Sequence, residues 1–315
     1  MKPATSRNMT SGDLVADRRA DYAVMLADSG DPAAAAELME QAMELAPGWA
    51  AGWFRLGSYA EKAGDNQKAI AAFRQVLVLE PGDIFGARLK LAVLGDASQP
   101  DLPPSSYVEG LFDDYADRFD AALVKKLQYT VPEKLAALIA ANTSSRIFRC
   151  TVDLGCGTGL FAAAFRELAG IIEGYDLSGR MLAKAAAKGL YAQLGKADLS
   201  LPPDRSGLFG AAASHRADLV AAADVMMYLG DLEAAFTNAA TLLSPDGVFA
   251  FSVELSEATT GFELRPSLRY AHSAAHVERM LIKNGMASFA REETVIRWDA
   301  GAPILGLLLL AKPAS

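Results

Sequence analysis

The run Val152-Asp153-Leu154-Gly155-Cys156-Gly157-Thr158-Gly159 constrains this chain more than any other segment. Apolar residues lead into three glycines spaced two apart, and Leu160 to Leu168 follows with helical character: strand, tight turn, helix. Glycines there let the backbone approach a ligand at the carboxyl end of a strand, beside a helix amino terminus. The neighbourhood continues the alternation. Thr151 to Leu154, Ile171 to Asp176, Ala217 to Asp224 and Val248 to Glu254 read as strands, with helices at Leu160 to Leu168, Gly179 to Ala187 and Leu232 to Leu243 between them. This predicts an α/β fold, an open and mostly parallel sheet with helices on both faces. A helix at Ser273 to Lys283 and strands at Ala287 to Trp298 and Pro303 to Ala311 predict an antiparallel hairpin at one edge.

Two details sharpen the turn. Its spacing is G-x-G-x-G, and an acid, Asp153, stands two residues before the first glycine. A carboxylate there repels a dinucleotide pyrophosphate and suits a cationic ligand. S-adenosylmethionine carries a sulfonium and an ammonium group and no phosphate. Asp176 ends the next strand, 21 residues beyond Gly155. It can accept hydrogen bonds from two ribose hydroxyls, or cap the following helix. Asp198, in Gly195-Lys196-Ala197-Asp198-Leu199, can accept from an adenine amino group or serve as an ordinary loop acid.

The amino-terminal third follows a different rule. Gly30-Asp31, Ala35, Met39, Ala42 and Pro47 recur 34 residues later as Gly64-Asp65, Ala69, Phe73, Val76 and Pro81. Each unit reads as two short helices broken at Gly-Asp. Trp53, Leu56, Gly57, Ala60, Ala69, Phe73 and Pro81 resemble the tetratricopeptide repeat signature, while the first copy has Arg19 and Tyr22 in place of Trp53 and Leu56. One more helix is expected at Ile84 to Leu94. Solenoids usually need about three repeats to bury their apolar faces, so two copies and a cap need support from elsewhere. That leaves two readings of the module: a packing or homodimer surface, or a groove that recruits an acceptor.

Ala97 to Ser106, with three prolines, reads as a linker. The expected organisation is helical repeats at 14–96, linker at 97–106, and a second domain at 107–315 with entry helices at 107–143 and a sheet core at 144–315. Tyr107 to Tyr129 and Pro132 to Ala141 read as the entry helices. Leu111, Phe112, Tyr115, Phe119 and Leu123 share one face of the first, as a core stripe.

Composition narrows the class. Over 315 residues, 51% are hydrophobic and the net charge is −8, which excludes a disordered chain or a coiled-coil rod. Lys125-Lys126 grows into no basic patch, so nucleic acid is not an expected partner. Cys150 and Cys156 with three histidines match no zinc pattern. Met1 to Asp13 lacks the apolar core of a signal peptide, and Ala302 to Ala311 is far short of the ~20 residues that span a bilayer. A cytoplasmic protein without membrane or metal is expected.

Together these residues resemble a class I S-adenosylmethionine-dependent methyltransferase. Asp153-Leu154-Gly155-Cys156-Gly157-Thr158-Gly159 resembles its glycine motif, Tyr175-Asp176 its ribose-binding acid and Ala197-Asp198 its adenine-side acid. Ala222-Ala223-Asp224-Val225-Met226-Met227-Tyr228-Leu229 resembles the segment after the fourth strand, and Leu243-Ser244-Pro245-Asp246-Gly247 the turn before the fifth. With the repeats, the whole chain resembles bacterial methyltransferases that carry tetratricopeptide repeats. The resemblance implies a Rossmann-like sheet and S-adenosylmethionine as cofactor. It implies cofactor contacts at Asp153, Gly155, Cys156, Gly157, Gly159, Asp176, Leu177, Asp198, Leu199, Asp224 and Tyr115.

Methyl transfer needs orientation, a dry site and, for a hydroxyl or protonated amine, a base. Arg265, Arg269, Tyr270, His272 and His276 cluster between the fifth strand and the next helix. Tyr270 and His272 are the expected catalytic groups, with His272 and Ser273 as helix caps the alternative. Arg265, Arg269 and Tyr228 are the expected substrate contacts, the arginines suiting an anionic acceptor. The expected function is methylation at oxygen or nitrogen of a small anionic molecule; the alternative is a protein or carrier-bound acceptor recruited by the repeats.

Overall fold

The computed structural model describes residues 10–119, 130–144, 147–209, 214–299 and 301–314. The chain divides into two compact units, Met1–Pro100 and Asp101–Ser315.

The first unit is helical: α1 (Leu14–Asp28), α2 (Pro32–Leu45), α3 (Ala50–Lys62), α4 (Asn66–Leu79) and α5 (Ala87–Val93). The repeat is visible in its caps. Asp31 accepts from the Ala34 N–H and Asp65 from the Lys68 N–H, so the two Gly-Asp breaks start α2 and α4 in the same way. The matched pairs Ala35 and Ala69, Met39 and Phe73, and Ala42 and Val76 are all fully buried. Tyr22 is 61% exposed where its counterpart Leu56 is 2% exposed, which is why the first copy departs from the signature. The helix expected at Ile84 begins later, at Ala87. Asp83 and Gly86 adopt left-handed backbone, and the Asp83 carboxylate accepts from the Ala87 and Arg88 N–H groups, so a turn precedes the helix.

The second unit opens with α6 (Ser105–Tyr115) and α7 (Val131–Asn142). Helix α6 starts inside the expected linker and ends at Tyr115, short of the expected Tyr129; Leu123 and Lys125-Lys126 lie outside the described residues. The sheet follows: β1 (Phe148–Leu154), α8 (Leu160–Phe165), β2 (Ala169–Asp176), α9 (Gly179–Lys188), β3 (Gln193–Lys196), β4 (Ala217–Ala222), α10 (Glu233–Leu242) and β5 (Leu243–Leu255). Then come β6 (Phe262–Leu264), β7 (Tyr270–His272), α11 (Ala274–Lys283), β8 (Met286–Asp299) and β9 (Ala302–Pro313).

The order β3-β2-β1-β4-β5 is parallel throughout. Antiparallel β9 pairs with β5, and β8 pairs with β9, which is the expected edge hairpin. Ser244 to Gly247, expected as a turn, falls within β5, where a register shift against β4 opposite Asp218 absorbs the extra residues. Strand β3 and the β6–β7 hairpin carry no alternating pattern of their own. The hairpin extends the carboxyl end of β5, where Glu254 and Leu255 pair with Ala271 and His272.

Both sheet faces are covered. Val152, Leu154, Val220, Phe249 and Phe251 pack toward α10 and α11, against Phe236 and Leu281. Phe148, Leu219, Ala250 and Leu308 pack with Leu135, Ile139, Phe161 and Phe165 on the other side. Strand order reverses between β1 and β4, and the connections there leave in opposite directions, which opens a crevice at their carboxyl ends. Among the described residues no helix is long and apolar enough to cross a membrane.

Candidate active site

A cavity of about 420 Å³ occupies that crevice. Its wall takes one residue set from each strand tip: Gly155 and Gly157 after β1, Asp176 and Leu177 after β2, Ala197 to Ser200 after β3, and Ala223 to Val225 after β4. Phe112, Tyr115 and Phe119 add an aromatic side, and Tyr228, Arg269 and Arg297 complete the wall beyond β4.

The glycine turn is shaped by its neighbours. Gly155 has φ +64°, and a Cβ there would lie 2.5 Å from Val225 Cγ2, so the turn needs glycine for conformation and for space. Asp176 fastens the turn to β2. Its Oδ2 accepts from the Gly157 N–H and its Oδ1 from the Ser178 N–H, each at 2.8 Å. Burial raises the Asp176 carboxyl, and these N–H groups oppose the rise. The helix cap is Ser178, which accepts from the Met181 N–H; Asp176 itself faces the cavity wall. Asp198 accepts from both the N–H and the hydroxyl of Ser200 through Oδ1, and Oδ2 accepts no bond among the described residues.

Helix α6 is tied to this end of the sheet. Ser178 Oγ donates to Asp113 at 2.5 Å, and Arg180 and Lys184 pair with Asp117 at 2.6 and 2.8 Å. Phe112 meets Tyr228 edge-on with ring centroids 5.0 Å apart, so the aromatic side is continuous with the segment after β4.

The far wall is ionic. Asp224 has left-handed backbone, φ 61°, and its N–H donates to Ser252 Oγ at 2.7 Å. One carboxylate oxygen, Oδ1, is buried without a partner; the other lies 3.5 Å from Arg297 Nη1. Burial pushes this carboxyl up to about 6, against the pull of Arg297 and Arg269. Arg297 is itself 2% exposed and also contacts Glu254, a second buried acid. Burial disfavours the charge on Arg269, but Tyr228 and the acids Glu254 and Asp224 outweigh it and keep the guanidinium charged.

The structure gathers Gly155, Gly157, Asp176, Leu177, Asp198, Leu199, Asp224, Tyr115, Tyr228 and Arg269 around one cavity. It keeps others away from the wall. Asp153 is buried behind the turn, donated to by the Tyr191 hydroxyl at 2.7 Å, and Cys156 and Gly159 also lie off the cavity lining. Arg265 turns to the Leu255 carbonyl at 2.8 Å and toward Glu263 and Glu254 at 3.5 and 3.7 Å. Tyr270 and His272, expected to be catalytic, are fully buried and off the lining, because pairing of β7 with β5 turns them into the core. His272 stacks on His276 at 5.8 Å, and burial, aided by His276, pushes it down to about 4. The His276 N–H donates to Ser273, the actual cap of α11. Arg297 is a wall residue that sequence reasoning missed. It sits in β8 just after a register shift between Val295 and Arg297, a bulge of the kind that re-aims a side chain.

A family model described as a methyltransferase domain matches residues 123–299, more than half of the chain, and a tetratricopeptide repeat model matches residues 50–83. No curated protein matches the chain. Among solved structures, the (4+2)-cyclase SpnF is 16% identical with a TM-score of 0.55, covering 69% of this chain and 100% of its own. The Burkholderia thailandensis 1,6-didemethyltoxoflavin-N1-methyltransferase, solved with 1,6-didemethyltoxoflavin and S-adenosylhomocysteine, is 18% identical with a TM-score of 0.52, covering 70% of this chain and 94% of its own. At these identities the likeness is one of fold. The chain belongs to the methyltransferase-domain family: it is an S-adenosylmethionine-dependent methyltransferase whose sequence carries a tetratricopeptide repeat ahead of that domain.

Proposed function

We propose that this enzyme methylates a small anionic molecule at oxygen or nitrogen, with cofactor and acceptor side by side in the one cavity. The observation that carries this reading is the division of charge along the wall. The charged side chains after β2 and β3 are acids only, Asp176 and Asp198; beyond β4 stand Arg269 and Arg297 with Asp224.

The acidic half fits S-adenosylmethionine. Gly155 and Gly157 leave backbone room at the amino-terminal end of α8, where a side chain would collide with Val225 at Gly155. Asp176 holds two backbone N–H groups and keeps lone pairs for ribose hydroxyls; Asp198 Oδ2 can take the adenine amino group. Leu177 and Leu199 offer apolar surface to the adenine ring, and Tyr115 with Phe112 and Phe119 covers the site from water. When bound, the cofactor supplies a methyl carbon activated by the sulfonium.

The other half orients the acceptor. Arg269, held charged beside Tyr228 and 3.5 Å from Asp299, can pair with a further carboxylate or similar group. Asp224, poised near 6, is the wall group placed to take a proton from a hydroxyl or amine. The test is transfer of tritium from labelled S-adenosylmethionine to hydroxybenzoates, aminobenzoates and their neutral esters, with residues 1–100 present or deleted. Labelling of the free acids over the esters, unaffected by the deletion, supports the reading. Labelling confined to protein and lost with the repeats replaces it with a recruited protein acceptor.

A further inference from the structure

The acid of the glycine motif has a partner that no part of the wall accounts for. Asp153 is 1% exposed at the end of β1, behind the turn. Tyr191, in the short connection between α9 and β3, donates its hydroxyl to Asp153 Oδ2 at 2.7 Å. The ring reaches there through a gap that two glycines leave. A Cβ at Gly174 of β2 would lie 2.7 Å from the ring, and one at Gly159 of the turn 3.0 Å. The adjoining Ala192 N–H donates to the Ile172 carbonyl at 2.8 Å, which fixes the Tyr191 backbone against β2. A hydroxyl on the β3 side of the sheet is thus delivered across β2 to a carboxylate under the β1 turn.

This bond acts on charge. Burial pushes the Asp153 carboxyl up to about 7, the Tyr191 hydrogen bond pulls it down, and Asp176 adds to the rise. The Cys156 thiol also faces the pair, and burial with the two acids holds it protonated; the Nζ of Lys188 in α9 bonds to Thr158 Oγ1 at 3.3 Å. Asp113 of α6 lies beyond Asp176 and raises it. Loss of the phenolic bond therefore favours the protonated acid.

We propose that Tyr191 is a positioning residue that keeps Asp153 ionised beneath the glycine turn, and that this buried negative charge makes the cavity prefer the sulfonium cofactor over its neutral thioether product. The inference rests on the proposed binding of S-adenosylmethionine in this cavity. The carboxylate works through the field, without contact, because Asp153 is buried behind the turn and off the cavity lining; Coulomb attraction at an effective dielectric near 20 sets a preference on the order of 10-fold. The bound product, having lost the sulfonium charge, loses that attraction and leaves more readily.

The experiment titrates the full chain by calorimetry with two probes between pH 5.5 and 8.5. Sinefungin carries an amine in place of the sulfonium and keeps the positive charge; S-adenosylhomocysteine lacks it. The wild type is expected to prefer sinefungin roughly 10-fold at pH 8 and to lose that preference as pH falls through about 7. Tyr191→Phe, which keeps the ring between the two glycines, is expected to move the loss to higher pH and to cut the preference several-fold at pH 7. S-adenosylhomocysteine affinity should stay within about two-fold. Asp153→Asn should remove the loss of preference near pH 7 and leave only the later change from Asp224, the cavity acid raised to about 6. Equal weakening of both probes in Tyr191→Phe, or no change in either, overturns the inference while the cofactor reading stands. Failure of the wild type to bind either probe overturns the cofactor reading itself.

Discussion

Arg297 Nη1 lies 3.5 Å from Asp224 Oδ2, so a guanidinium from the edge hairpin closes the cavity wall at the tip of β4. The same guanidinium contacts Glu254, which is 1% exposed on β5. Removing one member of a buried ion pair leaves the other charge without compensation, whereas replacing both with apolar or neutral groups is often tolerated. Arg297→Met should therefore cost about 3–5 kcal/mol of unfolding free energy in urea titrations. Adding Glu254→Gln should restore most of that loss. A single variant as stable as the wild type would show that the pair carries no structural weight.

The buried imidazole of His272 predicts an acid limb of stability. Its folded value is near 4 against an ordinary 6.5, so between these values the unfolded chain takes up a proton that the folded chain refuses. Stability from this group is intact above about 6.5 and is lost as pH falls toward 4, at a slope of up to ~1.4 kcal/mol per pH unit. Asp153 and Asp224, raised to about 7 and about 6, act with the opposite sign over much of the same window. The His272 contribution is isolated by comparing urea unfolding of wild type and His272→Gln at pH 7 and 4.5. The variant should gain on the wild type at the lower pH, and parallel curves would contradict the assignment.

Cys150 and Cys156 should be inert in the folded protein. Burial, with Glu173 adding to it, pushes the Cys150 thiol up to about 11, and burial with Asp153 and Asp176 raises Cys156 further. The thiolate is the reactive form, so both should react with a thiol-exchange reagent at pH 8 roughly 100-fold or more slowly than in the unfolded chain. Rapid labelling of Cys156 without unfolding would mean that the glycine turn opens.

What the sequence reveals depends on how local each signal is. The Gly155–Gly159 turn, Asp176 at the next strand tip and the 34-residue repeat are set by neighbours in the chain, and they stand where spacing places them. Arg265, Tyr270 and His272 lie close in sequence to wall residue Arg269, yet Arg265 bonds to the Leu255 carbonyl, and the pairing of β7 with β5 turns Tyr270 and His272 away from the cavity. Arg297 and Tyr191 were invisible for the converse reason. One arrives through a bulge in the penultimate strand, and the other passes across β2 between two glycines, and neither route leaves a pattern in the residues around it.

Asp176 organises the proposed cofactor site, and calorimetric titration of the full chain with S-adenosylhomocysteine measures whether that site binds. Binding should saturate at one site and be displaced by S-adenosylmethionine. Asp176→Ala should weaken it at least about 10-fold, because the residue releases the Gly157 N–H and its other acceptor positions together. Binding of NAD with none of S-adenosylhomocysteine, or an Asp176→Ala titration indistinguishable from the wild type, would contradict it.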